Sequence, residues 1–225
     1  MENNNIGIEK IDGGLKDLNN YEYTACEVAG DVFRGNQRVL TYYDNKDNPS
    51  DRLDILQATN SPVSPLTTCA TIGLVNNDTG VISGDGKHVR VELIGTVDST
   101  EPYAVSQLGR ILTHCSLLAK RKNNAICTPG STISNAMVNF VPDSEMKHIG
   151  FALPIPFSNW GDKQLGVVDL DDKNMLTWLL AFPLSDAELE YVKKNGRQGM
   201  TDLVQKVMNE QGEKALFSYY RKSVL

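Results

Sequence analysis

The stretch WLLAFPLSDAELEYVKKNG, residues 178–196, carries a strand signal, a breaker and a helix start in direct succession. Trp178 to Phe182 is an unbroken apolar run, and its short length with a breaker after it predicts a buried strand. Pro183 ends that run, because proline brings no N–H to a sheet ladder. Ser185 and Glu188 then have the S-x-x-E spacing of a capping box, in which each side chain satisfies a backbone donor at a helix start. Leu184 and Leu189 are spaced as the hydrophobic staple that sets the angle of the incoming chain. Gly196 is placed to stop the helix. A second helix follows, with Met200, Leu203, Val204, Val207 and Met208 on one stripe. The cap contributes about 0.5–2 kcal/mol to folding, so this stretch builds a scaffold and carries nothing reactive.

Working back from that junction, the clearest strand signal is VISGDGKHVRVELIGTV, where Val89, Val91 and Leu93 alternate with Arg90 and Glu92 after an Asp85-Gly86 turn pair. Residues 99–124 predict the best long helix. Pro102 suits its first turn, Leu108, Ile111, Leu112, Cys115, Leu118 and Ala119 form one apolar face, and Asn123 and Asn124 mark its exit. Upstream, RLDILQAT alternates Leu53 and Ile55 against Arg52 and Asp54, a half-buried strand. QRVLTYYD is short and β-prone, residues 45–51 read as a loop, and Tyr21, Ala25, Val28, Ala29, Val32 and Phe33 mark a helical stripe. NAMVNFVP, HIGFALPIPF and QLGVVDL are short apolar segments bounded by Pro, Gly or Asn.

Several strands follow one another without the helix that each parallel crossover needs. The fold class is therefore α+β, a mixed, largely antiparallel sheet with helices packed on it. Residues 1–20, rich in Asn and Gly, read as a weakly ordered N-terminal segment, and residues 21–225 as one domain. At 225 residues and 40% hydrophobic content the chain can bury a sizeable core without disulfides or metals.

Composition narrows the function classes. A net charge of −6 argues against nucleic-acid binding, and the one dense basic run, Lys120 to Lys122, falls where a helix ends and complements its dipole. An acidic surface suits a basic partner. Cys26, Cys69, Cys115 and Cys127 include no C-x-x-C pair and are expected as free, buried thiols. MENNNIGIEK lacks the pattern of a signal peptide, and no run approaches the ~18 apolar residues that span a bilayer. The expected setting is the cytoplasm, with no membrane partner.

GVISGDGKH approaches a phosphate loop, but it has one residue too many between Gly80 and Gly86, His88 in place of the hydroxyl, and a strand after it. A hairpin turn is the reading. His88, His114 and His148 lack paired metal spacing, and His114 beside Cys115 points away from it on a helix. No G-x-S-x-G elbow occurs, and the serines of CTPGSTIS sit in a Gly-Pro turn. The densest acidic tract, DLDDKNM with Asp169, Asp171 and Asp172, reads as a solvated turn between strands, with a partner-contact patch as the alternative. No catalytic, cofactor-binding or metal-binding residue is assigned, no cofactor and no small-molecule substrate are expected, and the partner-binding residues and oligomeric state stay open.

MKHIGFALPIPF, then WLLAFPLSDAELEYVKKNG, then RKSV near the end together resemble the suppressor-of-fused-like (SUFU) domain family, specifically its bacterial antitoxin or immunity branch. Pro183, Leu184, Ser185, Ala187, Glu188, Leu189 and Gly196 stand at the matching places, and DRLDIL, TTCATIGLV and VRVELIG are weaker upstream echoes. The likeness spans roughly residues 21 to 225. One departure is SYYRKSV, where the resemblance leads one to expect an acidic residue shortly before the arginine, so no partner for an ion pair of Arg221 is identified within the chain. The resemblance implies a non-enzymatic binding domain that captures a cognate toxin, often a nuclease. The alternative it leaves is a general interaction or regulatory module of the same fold. A standard interface takes roughly 800 Å² from each partner, a small fraction of such a surface, and leaves no motif in one sequence.

Overall fold

The computed structural model describes residues 9–12, 18–43, 52–101, 103–121, 127–154 and 165–225. Among these, nine strands form one sheet: β1 (Glu9–Asp12), β2 (Asn36–Tyr43), β3 (Arg52–Thr59), β4 (Leu66–Ile72), β5 (His88–Asp98), β6 (Thr132–Ile133), β7 (His148–Ala152), β8 (Val168–Asp169) and β9 (Asn174–Leu184). The order across the sheet is β1-β2-β3-β4-β5-β9-β7-β6, with β8 also paired to β9. Only β5 and β9 run parallel, and every other pairing is antiparallel. This is the mixed, largely antiparallel sheet that the unaccompanied strands required.

Three α-helices cover it: α1 (Asn20–Phe33), α2 (Ala104–Arg121) and α3 (Asp186–Gln211). Side chains alternate across each strand, so the sheet feeds two cores. Leu56, Ala58, Ile94, Trp178 and Phe182 pack with α1 and α3 on one face. Leu53, Ile55, Val91, Leu93 and Leu179 pack with α2 on the other.

That double cover changes the reading of β3. The alternation of Arg52 and Asp54 with Leu53 and Ile55 predicts one wet face, yet the strand is buried on both. The charge is made tolerable locally: Asp54 accepts from the Thr41 hydroxyl at 2.6 Å and pairs with Arg52 Nη2 at 2.7 Å. Pro183 is the second departure. It does not end the strand, since β9 continues to Leu184 and Pro183 aligns with Ile149. Proline is admitted because β5 leaves β9 at Leu180, so that flank has no strand to receive an N–H there.

HIGFA and the second Val and Asp of QLGVVDL become β7 and β8, whereas NAMVNFVP folds as successive turns, with Phe140 and Val141 N–H both donating to the Met137 carbonyl at 2.9 Å. Glu9–Asp12, inside the segment read as a lead-in, pair with β2. The loop at 45–51 lies outside the described residues apart from its neighbours, as do Pro102, Asn123 and Asn124.

Gly196 acts as expected, by breaking rather than ending the helical span: at φ 58 and ψ −139 it divides α3 in two. The break has a use. Gly130, itself at φ +88 in the CTPGSTIS loop, sits so close that an added Cβ would overlap the backbone of Arg197 and Gly196. Gly130→Ala is therefore expected to cost more than about 2 kcal/mol, from backbone overlap and a left-handed conformation together, measured as a lowered urea midpoint.

Candidate functional site

The junction between β9 and α3 shows what the signature residues do. Ser185 Oγ accepts from the Glu188 N–H at 3.2 Å, and Glu188 Oε2 accepts from the Ser185 N–H at 3.0 Å, which completes the capping box. Glu188 does more. Arg221 Nη1 and Nη2 each donate to its carboxylate at 2.7 Å, and the Val224 N–H donates at 3.1 Å. Both side chains are shut off from solvent, at 1% and 0% exposure. Arg221 Nη2 also donates to the Pro183 carbonyl at 2.7 Å, and its guanidinium lies over the Phe182 ring at 4.9 Å. The partner of Arg221 is thus not just upstream of it but in the first turn of α3, 33 residues away. Burial pushes the Glu188 carboxyl up, but the hydrogen bonds and charge of Arg221, with the two N–H groups, outweigh it and hold the group below its usual range.

A second buried carboxylate lies at the point where β4 parts from β5. Glu92 is fully buried, and it accepts from the Thr71 hydroxyl and from the N–H groups of Gly73 and Val75 at 2.8 and 2.9 Å. It takes the place of the missing strand partner. Burial pushes its carboxyl up to about 7, against the pull of those hydrogen bonds.

The exposed polar residues gather at one end of the sheet. Asp171 accepts from the Lys173 and Asn174 N–H groups at 2.7 and 2.8 Å and from the Tyr21 hydroxyl of α1. The Tyr21 hydrogen bond, with those N–H groups, holds the Asp171 carboxyl well below its usual range. Lys87 reaches Asp169 at 2.6 Å. Arg90 donates to Asn174 Oδ1 at 3.1 Å and to the Asn76 carbonyl at 3.3 Å, and it lines a shallow polar depression with Asn19, Asn20, Tyr21 and Asn76. Asp78 lies 2.9 Å from His88 Nδ1 and 3.8 Å from Arg90. The acidic tract is therefore a turn, as expected, but a turn knitted to α1 and to the hairpin before β5. Tyr21, Asn76, Asp78, Arg90 and Asn174 were not legible as a group, because the positions run from 21 to 174 and no spacing links them.

The other tested motifs fall apart in space. The 83–87 segment is the expected turn, with the Gly86 N–H donating to the Ser83 carbonyl at 3.0 Å. His114 stacks obliquely near Phe140, with ring centroids 5.7 Å apart. His148 accepts the Asn135 N–H on Nδ1 at 2.8 Å and so donates from Nε2 to Asp186 at 2.9 Å. Among the described residues, no group of three or more His, Cys, Asp or Glu is placed to hold a metal. Cys69, Cys115 and Cys127 are buried free thiols and Cys26 is half-buried. Burial pushes Cys69 and Cys127 up to about 12, which leaves them protonated and unreactive. No helix among the described residues is long and apolar enough to cross a membrane.

The family model of the suppressor of fused protein matches residues 49–222, most of the chain. The chain belongs to the SUFU family. The matched span includes Glu92, Pro183, Ser185, Glu188 and Arg221, and with them both buried carboxylate networks and the helix cap. The SUFU-family chain is also 28% identical over 195 residues to the immunity protein YqcF of Bacillus subtilis (strain 168), covering 86% of this chain and 92% of that one. Solved structures agree on the fold. A SUFU homologue from Neisseria gonorrhoeae FA 1090 superposes with a TM-score of 0.60 at 13% identity, covering 91% of this chain and 97% of that one. The Sufu–Fu complex gives a TM-score of 0.60 at 17% identity and covers 91% and 92%. Drosophila Suppressor of Fused gives 0.57 at 18% identity over 89% of this chain, which spans half of that longer protein.

Proposed function

We propose that this SUFU-family chain is an immunity protein that binds a cognate secreted or polymorphic toxin, a nuclease in our reading, and silences it by protein–protein contact in the cytoplasm. The observation that carries the reading is the similarity to the immunity protein YqcF along nearly the whole of both chains. The electrostatics support it. A chain of net charge −6, with Asp171 held ionised on its exposed acidic turn, suits a basic, phosphate-binding partner, and opposite potentials speed association. It acts by binding and needs no turnover.

A second reading keeps the fold and drops the toxin: a general interaction or regulatory module, which the occurrence of the SUFU fold in the Sufu–Fu complex favours. Co-expression separates the two. The toxin encoded beside this chain is expected to kill cells alone and to be tolerated when this chain is produced with it. Equal killing with and without the chain overturns the immunity reading.

A further inference from the structure

The cover that α2 gives the sheet fades toward one end. Leu93 and Val91 are buried, Val89 and Met175 are half-buried, and Val81 and Val167 stand 38% and 62% exposed. These last four lie on adjacent chain segments. Val89 N–H donates to the Val81 carbonyl at 2.9 Å, Val89 aligns with Met175, and Met175 aligns with Asp169, two positions past Val167. Register puts them on one face. Val89 has the parity of Val91, Met175 that of Leu179, and both of those pack against α2. Adjacent strands lie about 4.8 Å apart, so the four segments span roughly 15 Å, with Val167 diagonal to Met175 and Asp169 directly across from it.

The rim of this face is acidic. The turn at 83–87 and the residues at 169–173 set Asp85, Asp169, Asp171 and Asp172 against Lys87 and Lys173. Lys87 is already engaged by Asp169, while Asp171 is fixed in place by Tyr21 and Asn174. An aliphatic centre ringed by fixed charge is the anatomy of a docking face: the centre gains from losing water, and the rim steers and selects. The charge also chooses the occupant. Two copies of this chain set face to face would oppose like-charged rims, and a polyanion would be repelled.

We infer that the face formed by Val81, Val89, Met175 and Val167, with the acidic turns beside it, docks a basic protein surface bearing an apolar contact, which is the toxin of the proposed function. This assignment rests on the immunity reading, and the experiment keeps the two apart. The probe is the purified, catalytically inactivated domain of the toxin encoded beside this chain, titrated calorimetrically against wild type, Val167→Asp, the pair Asp85→Lys with Asp172→Lys, and, as control, Val63→Asp in the exposed turn between β3 and β4, beside the far end of β5. Val167→Asp is expected to weaken binding by about a hundredfold. The charge-reversal pair is expected to weaken it by roughly tenfold, chiefly through slower association, while Val63→Asp binds as wild type. Amide exchange should slow at 81–89 and 167–175 when the toxin domain is added.

Wild type that fails to bind the domain overturns the immunity reading, and this assignment with it. Wild type that binds, with Val167→Asp and the reversed pair binding equally well, overturns the assignment alone. Val167 and the two aspartates are exposed, so thermal melting of each variant should match wild type, and the exchange experiment uses unmutated protein if one does not. Concentration-dependent dimerisation through this face, abolished by Val167→Asp, would assign it to self-association and overturn the inference.

Discussion

Replacing Arg221 with methionine is expected to remove about 3–5 kcal/mol of stability, seen as a lower urea midpoint at unchanged slope. For a chain of this size that is a fall in Tm of about 10 °C. The reason is the asymmetry of buried ion pairs. The pair itself need contribute little beyond a hydrophobic alternative, because two charges have been taken out of water. Deleting one partner is different. Glu188 would stay at 0% exposure with its cation gone, and it cannot turn to water without giving up Ser185 and Val224. Three elements meet at that one ion pair: the start of α3 and the C-terminal segment through the Glu188 carboxylate, and the end of β9 through the Arg221 bond to the Pro183 carbonyl. A double variant, Glu188→Leu with Arg221→Met, is therefore expected to lose clearly less than the sum of the two single variants. A loss under about 1 kcal/mol for Arg221→Met would show that the network does not hold these elements together.

The same network shows what sequence could and could not reveal. The cap at Ser185, the staple at Leu184 and Leu189, and the break at Gly196 all rest on contacts within a few residues, so their spacing announces them. The α+β class was legible for a similar reason, since missing crossover helices are visible along a chain. The partner of Arg221 was not, because it stands 33 positions before the arginine, where no local spacing links the two. Two burial readings failed on the same ground. RLDILQAT alternates like a strand with one wet face, but α1 and α2 cover opposite faces of the sheet, and no local pattern reports how many helices will land. Pro183 reads as a terminator until the neighbouring strand is known to leave at Leu180. The exposed face around Val81 and Val167 is the extreme case: single aliphatics in short segments, made adjacent only by register.

Glu92 carries the second large effect, and its sign is opposite to that of Glu188. Its folded-state value is raised to about 7 from an ordinary 4.5, so the folded protein keeps a proton that the unfolded chain has lost anywhere between those two values. Stability must therefore fall as pH rises through that window, by about 3 kcal/mol in all, and then level off. Glu188, held below its ordinary value, instead contributes stability above pH ~4.5 that is lost as the pH drops. Wild-type melting mixes both trends, so the test is a difference. Glu92→Gln imitates the protonated acid: its amide oxygen can accept from Gly73 and Val75, and its NH₂ can donate to Thr71 Oγ1 while that hydroxyl turns to the Leu93 carbonyl. The stability of Glu92→Gln relative to wild type should be near zero at pH 4.5 and rise to a gain of about 3 kcal/mol by pH 8. A flat difference would mean that the three hydrogen bonds offset the burial and keep Glu92 ionised in the fold. A steady loss at every pH would mean that the gap between β4 and β5 requires the anion itself.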